Sequence, residues 1–150
     1  MHSILRGAIS GLVATVPQTI PIIAAQRLNL IQTPPPIQIS DRIASVADLL
    51  PERSEPGFTP VWLSAHLGYG AGCGIVYTLV RRFLPRSVPV AGLMFGEAVW
   101  GVSYLGFLPA LRLYPAPDDD SHPRVGVMIL AHAIFGVTLA AVDRRLGGGR

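Results

Sequence analysis

A chain of 150 residues, half of them hydrophobic and only 14% charged, with a formal net charge of +3, has the length of one domain and too little charge for an ordinary soluble one, in which roughly a quarter of residues ionise. Its mean hydropathy is +0.46, and the charge is missing in blocks: 7–26, 56–80 and 125–142 hold no Asp, Glu, Lys or Arg, and 88–111 holds only Glu97. Each block is long enough to cross ~30 Å of hydrocarbon as a helix, and none shows the polar stripe of a soluble bundle. The expected fold is therefore an all-α membrane protein of four transmembrane helices.

The first helix, about 4–26, contains "VPQTIPI", where Pro17 and Pro21 each remove a backbone bond and are expected to kink it. Its apolar run is long for a signal peptide and no small-x-small site comes after it, so it reads as a retained helix. The loop after it opens with "TPPPI", expected to be extended. Then "SDRIASVADLL" predicts a short amphipathic helix at about 40–50, with Ser40 as N-cap and Asp41 in its first turn. Ile39, Ile43, Val46 and Leu50 share one face of it, and Pro51 ends it.

The second helix, about 58–80, carries "HLGYGAGCG", with Gly68, Gly70, Gly72 and Gly74 at small-xxx-small spacing. Gly7 with Gly11 and Gly92 with Gly96 repeat that spacing, which lets membrane helices approach closely in a bundle or a homo-oligomer. The third helix, about 88–111, holds Glu97, and the fourth, about 125–143, holds "AHAIFG" with Gly136. Cys73 is the single cysteine and forms no intrachain disulfide.

Arginines set the orientation. Arg6, Arg81, Arg82, Arg86, Arg144, Arg145 and Arg150 flank the helices on one side with only Asp143 among them, whereas the other loops mix arginines with seven acids. Basic loops stay cytoplasmic, so both termini are expected inside. Arginines confined to helix ends do not point to nucleic acid; the expected partners are the lipid bilayer and a second copy or another membrane protein. Gly7, Gly11, Ala25, Arg27 and Leu28 recur at one constant offset as Gly92, Gly96, Ala110, Arg112 and Leu113, and "AHLGYG" pairs with "AHAIFG". This spacing implies two tandem hairpins in the same orientation, a plan shared by transport proteins and by inert bundles.

Polar groups inside the spans are costly and have to find partners. At 1.5 Å per residue, His66, His132 and Gln18 lie on the order of 10 Å below the outer surface and Glu97 near the midplane. Glu97, Trp100, Gly101 and Tyr104 share a face, as do His66, Tyr69, Gly70 and Cys73. The expected site is an intramembrane cluster of His66, Glu97 and His132, with Gln18 and Tyr104 as supporting hydrogen-bonders. Three readings use it: proton- or small-solute-linked passage, purely structural contacts in a partner or assembly protein, and bis-histidine haem binding with Arg27, Arg53, Arg112 and Arg124 near the propionates. No HExxH, CxxC, GxSxG or Walker pattern is present, so no enzyme, catalytic residue or metal site is expected, and haem is the one cofactor left open.

The stretch "HLGYGAGCGIVYTLVRRFLP", "GLMFGEAVWGVSYLGFLPALRLYPAP" and "AHAIFGVTLAAVDRRL" resembles the YagU-type and related small four-helix proteins of the bacterial inner membrane. The likeness covers about 66–146 and rests on His-led glycine helices ending in basic residues. It implies four helices in that membrane and carries no activity and no catalytic residues.

Overall fold

The computed structural model describes residues 2–47, 58–114 and 120–147. These form α1 (Ser3–Arg27), α2 (Pro35–Ala47), α3 (Phe58–Val80), α4 (Val88–Ala110) and α5 (His122–Arg145). No strand occurs among the described residues. A 3₁₀ turn, Arg81–Phe83, extends α3, and Val102–Phe107 within α4 is a π-helical turn.

By length and composition α1, α4 and α5 can cross a membrane. α3, with 23 residues, has the length, but His66 and its four closely spaced glycines dilute it. The sequence pattern suggested four equivalent spans; three are clear, and the other differs in composition.

α2 begins at Pro35, not near Ser40. The proline run expected to be extended supplies the first helical turn, where a missing N–H is no loss. The Pro34 carbonyl accepts from the Ile37 and Gln38 amides at 3.0 and 3.1 Å. Ser40 is thus a mid-helix residue. Leu50 and Pro51 lie outside the described residues. α1 runs unbroken through Pro17 and Pro21, while Ser10, Thr15 and Thr19 turn their hydroxyls onto carbonyls one turn back.

The bundle runs in the order α3, α1, α5, α4: α1 packs on both α3 and α5, and α5 packs on α4. Two contacts are backbone to backbone. A methyl on Gly11 would overlap the Gly70 carbonyl, and one on Gly74 would overlap that of Gly7. Likewise a methyl on Gly96 would overlap the His132 carbonyl, and one on Gly136 that of Gly92. Gly68 and Gly72 face open space; of the four glycines in α3, only Gly70 and Gly74 make the close contact. α3 and α4 approach instead through side chains, with Tyr77 edge-on to Phe95 at 5.2 Å between ring centroids. Phe135, Leu139 and Ala140 of α5 and Ala14 of α1 complete that core.

At the end holding the termini, Asp143 is 2% exposed. It accepts from Arg6 Nε at 2.7 Å and from Arg81 Nη1 at 2.8 Å. One carboxylate therefore ties α1, the turn after α3 and α5 together. The charge pattern had given Asp143 only the role of a lone acid among arginines.

Removing one partner of a buried pair strands the other charge. Asp143→Ala is expected to lose about 3–5 kcal/mol of stability, and exposed Arg144→Ala less than about 0.5 kcal/mol, both read by unfolding in a fixed lipid or detergent background. Gly11→Ala and Gly136→Ala are expected to cost about 1–3 kcal/mol through overpacking. Gly68→Ala and Gly72→Ala are expected to be neutral or to gain up to about 1 kcal/mol from helix propensity.

Candidate functional site

Because α3 and α4 each hug a neighbour and not one another, a gap of about 260 Å³ remains between them in the half of the bundle away from the termini. α2 roofs it with Pro35, Pro36, Ile39, Ser40 and Ile43. Ile39 and Ile43 recur at i, i+4 and so share the inner face of the amphipathic helix. Arg42 Nε donates to the Arg112 carbonyl at 3.3 Å and holds α2 to the end of α4. The walls are His66 and Tyr69 of α3, Gln18 and Ile22 of α1, Met128 and His132 of α5, and Trp100, Ser103, Tyr104 and Phe107 of α4.

The π turn brings the α4 wall together. It adds a residue to the turn and so shifts the phase of the helix beyond it, and Ser103, Tyr104 and Phe107, all within the turn, line the gap. Trp100 stacks on Tyr104 at 5.5 Å, and Tyr104 meets Tyr114 at 5.9 Å.

Four of the five residues expected to form a cluster, Gln18, His66, Tyr104 and His132, line this cavity; Glu97 does not. Gly96 faces α5, and Phe95, on one side of it, faces α3. Glu97 comes next after Gly96 and is rotated by about 100° in the opposite sense, away from α3 and His66. No hydrogen bond joins it to either histidine among the described residues, and its buried Oε1 has no partner. The face shared by Glu97, Trp100 and Tyr104 in an ideal helix is thus divided.

The two histidines differ in their bonding. Thr19 Oγ1 donates its one hydrogen to the Thr15 carbonyl at 2.8 Å and lies 3.2 Å from His66 Nε2. Nε2–H of His66 is therefore the donor to Thr19. In His132 it is Nδ1–H that donates, to the Met128 carbonyl at 2.8 Å. In the neutral ring Nε2 is then an acceptor, and it makes no hydrogen bond among the described residues. Tyr69 and Ser103 share a 2.6 Å hydrogen bond between α3 and α4.

Tyr104 reaches outward instead of toward Glu97. Its hydroxyl donates to Asp120 Oδ2 at 2.7 Å, while Asp120 Oδ1 pairs with Arg124 Nη1 at 3.0 Å and accepts from the Ser121 amide at 2.7 Å. The Asp120 side chain is fully buried, so the rim away from the termini is knit by a charge-assisted network. Tyr114 lies beside this network; burial pushes its phenol up to about 12. The i, i+4 spacing of Asp120 and Arg124 was visible in the sequence; their link to Tyr104 was not.

No group of three or more metal-ligating side chains occurs among the described residues. The chain belongs to DUF6789, a family of unknown function. The family model matches residues 1–150, and no curated protein or solved structure matches. Nothing in these comparisons bears on the YagU-type likeness. For this DUF6789 member, the apolar helices and the cavity are the physical evidence on which a role has to rest.

The Tyr69–Ser103 bond is the direct polar link between α3 and α4. Tyr69→Phe and Ser103→Ala are each expected to destabilise by about 1 kcal/mol. The double variant should cost less than their sum, the difference being a coupling of about 1 kcal/mol in a thermal-melting double-mutant cycle.

Proposed function

We propose that the chain is a four-span protein of the bacterial inner membrane whose outer-half cavity binds a small, largely apolar solute. α3 supports the fourth span: it has the length of its neighbours, and His66 and Tyr69, which dilute its hydropathy, face the cavity. The arginines at the end of the termini support a cytoplasmic location for both. The pairing of Gly7 and Gly11 with Gly74 and Gly70, echoed by Gly92 and Gly96 against Gly136 and His132, supports two duplicated hairpins held by small-xxx-small contacts.

The observation that carries the binding role is the cavity: apolar and aromatic walls, a few polar groups and an amphipathic roof. That is the usual constitution of a small-molecule site. Toward the termini, Tyr77, Phe95, Phe135 and Leu139 fill the bundle and Asp143 clamps its end. The pocket is therefore one-sided, as in the outward-open state of a carrier, and passage requires α3 and α4 to part. With Glu97 turned away, support for proton-linked passage is weaker than for solute binding. An apolar cavity of ~150 Å³ holds one benzene, so about 260 Å³ suits one substituted ring and not a haem.

Two experiments test this. In a Cys73→Ser background, Arg42→Cys is expected to react with membrane-impermeant maleimide in intact cells and Ser87→Cys only after lysis; the opposite pattern overturns the topology. Nanodiscs carrying the protein are expected to take up more para-cresol than empty ones, and Ala65→Phe, which adds bulk at the cavity wall, should reduce the excess with melting unchanged. Equal uptake with and without protein sinks the binding role.

A further inference from the structure

We infer that the cavity selects an uncharged ring compound bearing a hydroxyl group, a phenol or a compact ring alcohol, recognised by Gln18 and His132. This rests on the solute-binding reading above and gives it a chemical class. No Asp, Glu, Lys or Arg is among the residues that line the cavity. A charged occupant would lose its hydration there with no counter-charge to replace it.

Several polar groups around the cavity are already committed. Tyr69 is bonded to Ser103, Tyr104 to Asp120, and the Nε2 of His66 to Thr19. Among those still open, beside the Trp100 indole N–H and the Tyr114 hydroxyl, two lie on the adjacent helices α1 and α5. The Gln18 side chain, in a residue 7% exposed, makes no hydrogen bond among the described residues, and His132, 6% exposed, has its Nδ1–H committed to Met128. The neutral His132 ring thus offers Nε2 as an acceptor, and the Gln18 amide offers an N–H donor. A hydroxyl is the smallest group that can donate to the first while accepting from the second. An ether or a ketone accepts only and leaves Nε2 facing it without a proton, at a cost in binding.

The size of the gap agrees: one substituted ring fits, with α2 above it and the Tyr69–Ser103 bridge in its wall. The two histidines present different ring nitrogens as acceptors. His66 spends its Nε2–H inside the protein, and His132 keeps Nε2 available.

The test compares three para-substituted toluenes on the wild-type protein in nanodiscs, with uptake by empty nanodiscs subtracted. Para-cresol donates and accepts, para-methylanisole only accepts, and para-xylene does neither. Para-cresol is expected to saturate one site and to bind at least about fivefold more tightly than para-methylanisole, the equivalent of one net hydrogen bond. Gln18→Met and His132→Leu are expected to bring the two affinities together while para-xylene binding stays the same. His132 meets Gly96 through its backbone carbonyl, so replacing its side chain leaves that helix contact in place. If all three probes bind equally to the wild type, the hydroxyl preference is overturned and the pocket stands. If no probe exceeds the empty-nanodisc level, the pocket reading itself falls, and this inference with it.

Discussion

Backbone-to-backbone contact at glycine governs this bundle. Where Gly11 meets Gly70 and Gly96 meets His132, no side chain separates the helices, and each pair is drawn to the shortest approach two helices can make. In an apolar surrounding, where the hydrophobic effect does not drive helices together, such packing supplies much of the association energy. The geometry has a consequence for the other side of the molecule. Helices held tightly to α1 and α5 cannot also close on each other, so α3 and α4 stand apart and face one another through aromatic side chains.

That separation is filled differently at the two ends. Toward the termini, Tyr77 and Phe95 meet edge to face over Phe135 and Leu139, and the buried Asp143 draws two arginines from different helices onto one carboxylate. Away from the termini, residues of α3 and the π turn of α4 leave a gap that α2 covers. One end is thus sealed by packing and charge, the other is a lined cavity. Asp143 and Asp120 play comparable parts at opposite ends: each buried carboxylate is matched by arginine, which is the condition under which a buried charge persists.

Many polar side chains inside the bundle obey the same rule. Thr19, His66, Tyr69, Ser103 and Tyr104 each have a partner. Gln18 and the Nε2 of His132 face the cavity, where an occupant can complete them. Among the described residues Glu97 Oε1, Trp100 Nε1 and the Tyr114 hydroxyl are exceptions, buried without a partner. Helix periodicity alone put Glu97 on a face with Trp100 and Tyr104. The close docking of Gly96 on α5 fixed the rotation of α4, and that rotation turned Glu97 away from α3 and His66.

Much of the architecture was legible in the residues. Long blocks without charge mark apolar helices because each residue's hydropathy is a local property, and glycines at four-residue spacing mark faces where helices can touch. A fixed rise per residue put Gln18, His66 and His132 at one level, and all three line one cavity. Other features depended on contacts between distant segments, which no local pattern encodes. Only the tertiary structure decided which glycines pack, because Gly68 and Gly70 are alike in sequence and differ in the direction they face. It likewise decided that Asp143 is a buried clamp, that Tyr104 bonds to Asp120, and that the proline run before Ile37 begins a helix instead of avoiding one. Composition determined the kind of solvent this chain suits; the rotation of each helix about its axis, set by its neighbours, determined which polar atoms meet and which remain unpaired.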